Sequence, residues 1–143
     1  MAYEYYKALL KEAVDSAEFS EHQDKHCMSA EETKKTVEED LRHDPVSRFL
    51  VTKEASLKIL HFLIDSESQP VKDWCRRMSE AEVGEYIHAD YDIGPLPTVT
   101  GERYTMWGVE TCHSLHLAFS FKKGSRPCSD RARIVTFFPS TVK

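Results

Sequence analysis

The chain has 143 residues, of which 41% are hydrophobic and 30% charged, and it carries a formal net charge of −5 at pH 7. This length favours a single domain, 1–143, with a core of its own, and no apolar run approaches the roughly 18 residues needed to cross a bilayer. The first residues carry neither the basic nor the apolar region of an export signal, so we expect a cytoplasmic protein that does not enter a membrane.

Residues 1–88 are expected to form the helical part of the domain. Their apolar residues recur every three or four positions, which is the spacing of amphipathic helices. Ser29 and Ser79, each followed three residues later by Glu, have the pattern of a capping box, and Thr52 is a suitable N-cap. The predicted helices are 3–17, 30–42, 53–64, 70–78 and 79–87, with a polar connection over 21–26.

Residues 89–143 are expected to form an antiparallel sheet on which the helices pack, so the predicted fold class is α+β. After His88, Gly and Pro residues interrupt the chain, and the apolar period falls from about 3.6 residues to two. Aromatic and β-branched residues favour strands at 103–110, 113–121 and 131–138. In the middle strand the side chains that share one face are Leu115, Leu117, Phe119 and Phe121.

The charges are divided unevenly between the two parts. Residues 1–90 carry 12 Lys and Arg against 20 Asp and Glu, a net −8, whereas residues 91–143 carry 7 against 4, a net +3. A basic, strand-rich part could hold a polyanion, because Lys and Arg that bind phosphates release counterions. Scattered surface charge is the alternative explanation.

The cysteines Cys27, Cys75, Cys112 and Cys128 are expected to be reduced thiols, since a chain of this length folds without disulfides. Two clusters of His and Cys were weighed as zinc sites, one at His22, His26 and Cys27 and one at Cys112, His113 and His116. Neither has the paired CxxC spacing of a zinc site, so we expect no metal. A cysteine hydrolase with Cys27 or Cys112 as nucleophile, and His113 or His88 as base, is a further possibility.

The sequence lacks the glycine-rich, phosphate-binding and metalloprotease motifs that accompany common cofactors, so we expect none. The strand-rich part instead offers residues suited to RNA cleavage. Histidine moves protons near neutral pH, and arginine stabilises charge on a phosphate. On this chemistry we predict His113 and His116 as acid and base and Arg103 as phosphate ligand, with His88 and Arg133 binding substrate.

Residues 132–140, ARIVTFFPS, resemble the last strand of small ribonuclease toxins of the barnase, EndoU, colicin and RelE-like group. That group includes domains at the ends of contact-dependent growth inhibition toxins. The resemblance implies that Thr136 hydrogen-bonds the scissile phosphate and that Phe138 is its aromatic neighbour. It also implies RNA as substrate, delivery into a target cell and a cognate immunity protein. The toxins are often basic, whereas this chain is acidic, and no position here is assigned to their early histidine.

A different interpretation is a protein without catalysis. Acidic residues cluster on the predicted helix 30–42, and such a surface suits a partner with a basic face. The chain would then be a protein-binding module such as an immunity protein or antitoxin. The sequence leaves both interpretations open, and it does not predict an oligomeric state.

Overall fold

The computed structural model describes residues 2–126 and 129–142 and confirms the α+β class, with helices concentrated in the first half and strands in the second. The helices are α1 (Ala2–Val14), α2 (Ala17–Asp24), α3 (Ala30–Glu39), α4 (Lys53–Asp65) and α5 (Gln69–Glu80). The strands are β1 (Val46–Phe49), β2 (Tyr86–Ile93), β3 (Gly101–Thr105), β4 (Gly108–Cys112), β5 (Ser114–Lys122) and β6 (Arg131–Ser140). Within these described residues, no helix has the length and apolar character of a membrane span.

The strands form two antiparallel sheets of three strands each. One has the order β1-β3-β4 and the other the order β2-β5-β6. Each of β3–β4 and β5–β6 is a pair of neighbours in sequence, as short connections favour. The two sheets meet along β6, which contacts both β1 and β3.

The core lies between helices α1, α4 and α5 and the inner face of the β2-β5-β6 sheet. As the alternation in the sequence predicts, β5 turns its four large apolar side chains inward, and all are buried. They are Leu115, Leu117, Phe119 and Phe121. From the helical side, Trp74 of α5 stacks on Phe119 with ring centroids 5.5 Å apart. Large aromatic side chains such as these dominate the apolar surface that folding buries.

Gly101, the first residue of β3, is tightly packed between β1 and β6. A Cβ atom at this position would overlap the carbonyl oxygen of Arg48 on β1 and the ring of Pro139 on β6. Glycine therefore lets three strands come together at one point. This junction lies beside the site described below.

The N-cap prediction at Thr52 is confirmed, because its hydroxyl accepts a hydrogen bond from the N–H of Ala55 over 3.1 Å. The helix predicted at 79–87 is wrong: α5 runs on to Glu80 and the chain is already in β2 at Tyr86. Ser79 does not cap a new helix, because its hydroxyl instead donates to the carbonyl oxygen of Arg76 within α5.

Three further boundaries differ from the sequence prediction. The helix expected at 3–17 breaks after Val14 because Ser16 caps a new helix, and this helix α2 occupies most of the expected connection 21–26. The strand expected at 103–110 is a hairpin, with its turn at 106–107. Neither the short strand β1 nor the strand β2 was predicted.

Candidate functional site

A cleft of about 360 Å³ opens where the end of α2 meets β1, β3 and β6. Four separate segments of the chain line it, and none of the lining residues is acidic, although the whole chain carries a net charge of −5. We call it the histidine cleft. Its lining residues are His22, Lys25, His26, Pro45, Ser47, Arg103, Thr136 and Phe138.

His26 is held against β1 by two hydrogen bonds. The N–H of Phe49 donates to the carbonyl oxygen of His26 over 2.8 Å, and Nδ1 of His26 lies 2.9 Å from the carbonyl oxygen of Ser47. Because a carbonyl only accepts hydrogen bonds, Nδ1 carries the proton, and the neutral ring has its lone pair at Nε2. Burial lowers the pKa of His26 to about 4, so the ring is neutral at pH 7.

His22 lies one helical turn before His26, and the two ring centroids are 5.6 Å apart. It belongs to α2, whose other face buries Phe19 and Gln23 and so fixes the helix on the protein. Nε2 of His22 is 3.1 Å from the hydroxyl oxygen of Thr136. Partial burial and the positive charge of Lys25 both lower the pKa of His22.

A β-bulge in β6 directs Thr136 into the cleft. Phe119 of β5 pairs with Ile134, and the preceding residue Ala118 pairs with Thr136, so Val135 is an extra residue in β6. Strict alternation would turn Thr136 to the same side as Ile134, toward the core. The extra residue reverses this pattern, which is the usual effect of a bulge on the side chains that follow it.

Phe138 connects the cleft with a second group of polar residues on the same sheet face. Its ring centroid is 5.1 Å from that of His26 and 5.0 Å from that of His116. His116 does not line the cleft. Its two ring nitrogens lie 3.0 Å from a carboxylate oxygen of Asp92 and 3.2 Å from one of Asp90. These two bonds engage both ring nitrogens of His116.

Two cations border the cleft. Lys25, at the end of α2, makes no ion pair within the described part of the chain. Arg103 of β3 donates from Nη1 to Glu110 on the neighbouring strand over 3.1 Å, which leaves its other guanidinium N–H groups for an anion in the cleft. Both cations are therefore available to attract a phosphate.

The structure brings together part of the predicted site. Arg103, Thr136 and Phe138 all line the histidine cleft. His113 does not, because it stands exposed at the start of β5 beside another cavity, with Nδ1 3.2 Å from the carbonyl oxygen of Thr98.

The two residues predicted to bind substrate also lie elsewhere. His88 is on β2 and faces Asp90, with 3.3 Å between Nε2 and the carboxylate. Arg133 forms an ion pair with Glu18 of α2. Both side chains are exposed, and neither lines the cleft.

Sequence reasoning missed His22, His26, Lys25 and Ser47 as members of one site. The i, i+4 spacing of the two histidines is visible in the sequence, where it suggests a zinc cluster with Cys27 instead. Within residues 2–126 and 129–142, no group of three His, Cys, Asp or Glu side chains is arranged to hold a metal ion.

Among the described residues, no cysteine sulfur is hydrogen-bonded to a histidine. Cys27, Cys75 and Cys112 are free thiols, and Cys128 lies outside the described residues. Burial raises the pKa of Cys27 and raises that of Cys112 to about 11. Because the thiolate is the nucleophile, these environments disfavour cysteine catalysis.

A solved structure has a similar fold. The chain is similar to a chain in the crystal structure of a CdiA-CT/CdiI complex from Y. kristensenii, with 18% sequence identity and a TM-score of 0.52. The likeness covers 82% of this chain and 96% of that one, and it establishes a shared fold. No family model matches the sequence, and no curated protein matches it.

Proposed function

We propose that this chain is a metal-independent ribonuclease of the toxin kind, which cleaves RNA by attack of a ribose 2′-hydroxyl on the adjacent phosphate. The observation that carries the proposal is the convergence of His22, His26 and Thr136 on a cleft without acidic lining residues. An RNA phosphate is negatively charged, so such a cleft attracts it, and the imidazoles supply proton transfer.

In this proposal His26 is the general base. Its bond to the carbonyl of Ser47 fixes the tautomer, so Nε2 is free to take the proton of the 2′-hydroxyl. The buried environment keeps the ring neutral and ready to accept. The role assigned from sequence to His113 thereby passes to a residue of the first half.

His22 is the matching acid. Its pKa is lowered in the free protein, but a phosphate bound beside it favours the charged ring and so opposes the effect of Lys25. As the bond from the 2′-oxygen to phosphorus forms, the bond to the 5′-oxygen breaks, and His22 gives its proton to that leaving oxygen. The products are a 2′,3′-cyclic phosphate and a 5′-hydroxyl end.

Arg103, Lys25 and Thr136 stabilise the negative charge that develops on the phosphorane. Arg103 is oriented by Glu110, and Thr136 is aimed into the cleft by the bulge in β6. Donors fixed in advance toward a developing charge are among the strongest contributors to catalysis. Phe138 supports this arrangement by packing against His26.

The structural neighbour is consistent with this proposal. It comes from a complex of two proteins, CdiA-CT and CdiI, which supports the expectation of a cognate partner. We propose that an immunity protein covers the histidine cleft, and that the chain acts on RNA in the cytoplasm of a cell into which it is delivered. The fold likeness does not distinguish the two components of that complex, so the choice rests on the cleft.

The test is incubation of the purified protein with total RNA in excess EDTA, followed by mapping of the product ends. Discrete fragments with 2′,3′-cyclic phosphate ends are expected, and His26→Gln should reduce the rate by about 10²- to 10⁴-fold. His113→Ala, which alters an exposed histidine outside the cleft, is the matched control and should cleave normally. Intact RNA with every substrate would contradict the proposal.

A non-catalytic immunity protein remains the second candidate, because α3 exposes Glu31, Glu38 and Glu39 together. Two of these are already paired with lysines of the same helix, Lys34 with Glu38 and Lys35 with Glu39. This pairing weakens the field that would steer a basic partner. Tight binding of one basic protein, without turnover of RNA, would favour this second candidate.

A further inference from the structure

The tip of the β3–β4 hairpin presents a tryptophan to solvent. Trp107 is 93% exposed, and its neighbour Met106 is 52% exposed. The turn that carries them is ordered by Thr105, whose hydroxyl accepts from the N–H of Trp107 over 3.1 Å and donates to the carbonyl oxygen of Gly108 over 3.2 Å. Gly108 has a φ of +144°, which favours glycine at that position. The indole is thus held out on a defined turn.

Beneath this tip lies a second cavity, of about 440 Å³, which we call the hairpin subsite. It shares Pro45 and Arg103 with the histidine cleft, so the two spaces adjoin. Its lining residues are Arg42, His43, Pro45, Arg103, Thr105, Met106, Trp107 and Glu110.

The charges of the hairpin subsite match a nucleic acid backbone. Arg42 is exposed and makes no ion pair within residues 2–126 and 129–142. Glu110 is the acidic residue of the subsite, and its carboxylate is engaged with Arg103. A cation at the edge of the subsite therefore faces solvent beside an exposed indole.

We propose that the hairpin subsite binds a nucleotide that flanks the scissile phosphate in single-stranded RNA. Trp107 stacks on the base, and Arg42 contacts the phosphate. The inference rests on the proposed function, because the continuity of the two cavities is what selects RNA as the occupant. A positively charged groove with aromatic side chains is the common way in which proteins hold single strands.

The proposal also limits the form of the substrate. In a duplex the bases are stacked on each other and paired, so they are not free to stack on an indole, whereas loops and single strands can splay a base outward. Base stacking is tolerant of sequence, because every base has a π-face. We therefore expect selection for single-stranded regions with little base preference at this position.

Trp107 itself supplies the measurement. The chain has two tryptophans, and Trp74 is fully buried in the core, so iodide quenching of the emission reports on Trp107. The probe is a short single-stranded 2′-O-methyl oligoribonucleotide, which lacks the nucleophilic hydroxyl and is not cleaved. Binding should change the emission of the wild-type protein and protect it from iodide.

The variants separate stacking from fold. Trp107→Ala should weaken binding of the probe by about 5- to 150-fold, measured by fluorescence anisotropy of a labelled probe, whereas Trp107→Phe should retain most of the affinity. Arg42→Gln should weaken binding and reduce its dependence on salt. Phe62→Ala removes a side chain that is 70% exposed on α4 and lines none of the described cavities, so it should bind as the wild type does.

Two kinds of failure can be told apart by assaying RNA cleavage in parallel. If the wild-type protein cleaves RNA but Trp107→Ala binds the probe with unchanged affinity, the hairpin subsite is overturned and the proposed function stands. If the wild-type protein neither binds the probe nor cleaves RNA, both are overturned. If Trp107→Ala loses binding to a cognate protein but binds the probe as the wild type does, Trp107 belongs to a protein interface and the proposal is overturned.

Discussion

Nε2 of His22 lies 3.1 Å from the hydroxyl oxygen of Thr136, although 114 positions separate the two residues in the chain. This contact joins α2 to β6 across the mouth of the histidine cleft. It brings the proposed acid beside the proposed donor to the developing oxyanion. Four predictions follow the chemistry and the packing of this region.

The hydroxyl of Thr136 is expected to matter more than the shape of the side chain. Thr136→Val keeps the branched shape but removes the donor, and we expect kcat for RNA cleavage to fall by about 100-fold or more. Thr136→Ser keeps the hydroxyl and should retain most of the activity. Steady-state kinetics on one RNA substrate compares the three proteins, and equal kcat values for the valine and wild-type proteins would contradict the role.

The pH profile of kcat/KM is expected to be bell-shaped and displaced to the acidic side. The proposed mechanism needs His26 neutral and His22 protonated; burial lowers the pKa of His26 to about 4, and the pKa of His22 is also lowered. Activity should fall above the pKa of His22 and again below about pH 4. Circular dichroism at each pH would separate titration from unfolding. A rate that rises to a plateau above neutral pH would exclude His22 as the acid.

Stability should also depend on the protonation of His26. The pKa of this ring is about 4 in the folded chain and has the ordinary value of 6.5 when unfolded. Between pH 4 and pH 6.5 the unfolded state binds a proton that the folded state does not, so the free energy of unfolding rises with pH over this range. With respect to His26, it is highest above pH 6.5 and decreases as the pH falls toward 4. The loss is on the order of 3 kcal/mol of unfolding free energy.

Urea denaturation at several pH values would measure this effect on the wild-type protein and on His26→Gln. The variant should show a shallower dependence of unfolding free energy on pH over the acidic range. Its absolute stability is less informative, because glutamine also alters the packing against Phe138. If the unfolding free energy depends on pH equally in both proteins, a group other than His26 is responsible for the dependence.

Gly101→Ala is expected to lower stability and to disturb the cleft. The added methyl group meets the carbonyl oxygen of Arg48 and the ring of Pro139, so the two sheets must move apart. We expect a loss of about 1–3 kcal/mol, the usual range for overpacking. Thr111→Ala, at an exposed position of the neighbouring strand β4, is the control and should change little. Equal melting temperatures for both variants would contradict the close approach.

Local patterns in the sequence predicted the parts of the fold that local physics determines. The alternation from Leu115 to Phe121 correctly predicted β5 and its buried face, because each strand residue points opposite to its neighbours. Thr52 marked the start of α4 because a threonine hydroxyl can accept a hydrogen bond from a free backbone N–H of the first helical turn. The strand β1 escaped prediction because its four residues are too few for a period to appear. The strand β2 escaped because the capping-box pattern at Ser79 and Glu82 predicted a helix over its first residues.

Only part of the candidate site could be predicted from the sequence, because its residues come from segments that lie far apart in the chain. Thr136 and Phe138 stood out through the resemblance of their strand to known toxins, and Arg103 through its chemistry. His22 and His26 precede Thr136 and Phe138 by more than a hundred positions. Their place in the cleft depends on how α2 packs against β6, which no helical or strand period encodes. The hairpin at Trp107 was likewise hidden within one aromatic-rich stretch.

The extra residue Val135 shifts the alternation of inward and outward side chains along β6 by one position. Before it, Ile134 is the inward residue, and after it Phe137 takes that place, three positions later instead of two. If Val135 were lost, Thr136 would follow Ile134 directly, and strict alternation would leave Thr136 outward and Phe137 inward, as they are now. The loss of a residue after the bulge would instead exchange the faces of the residues that follow it. We therefore expect β6 to tolerate deletion of Val135 better than deletion of Phe137.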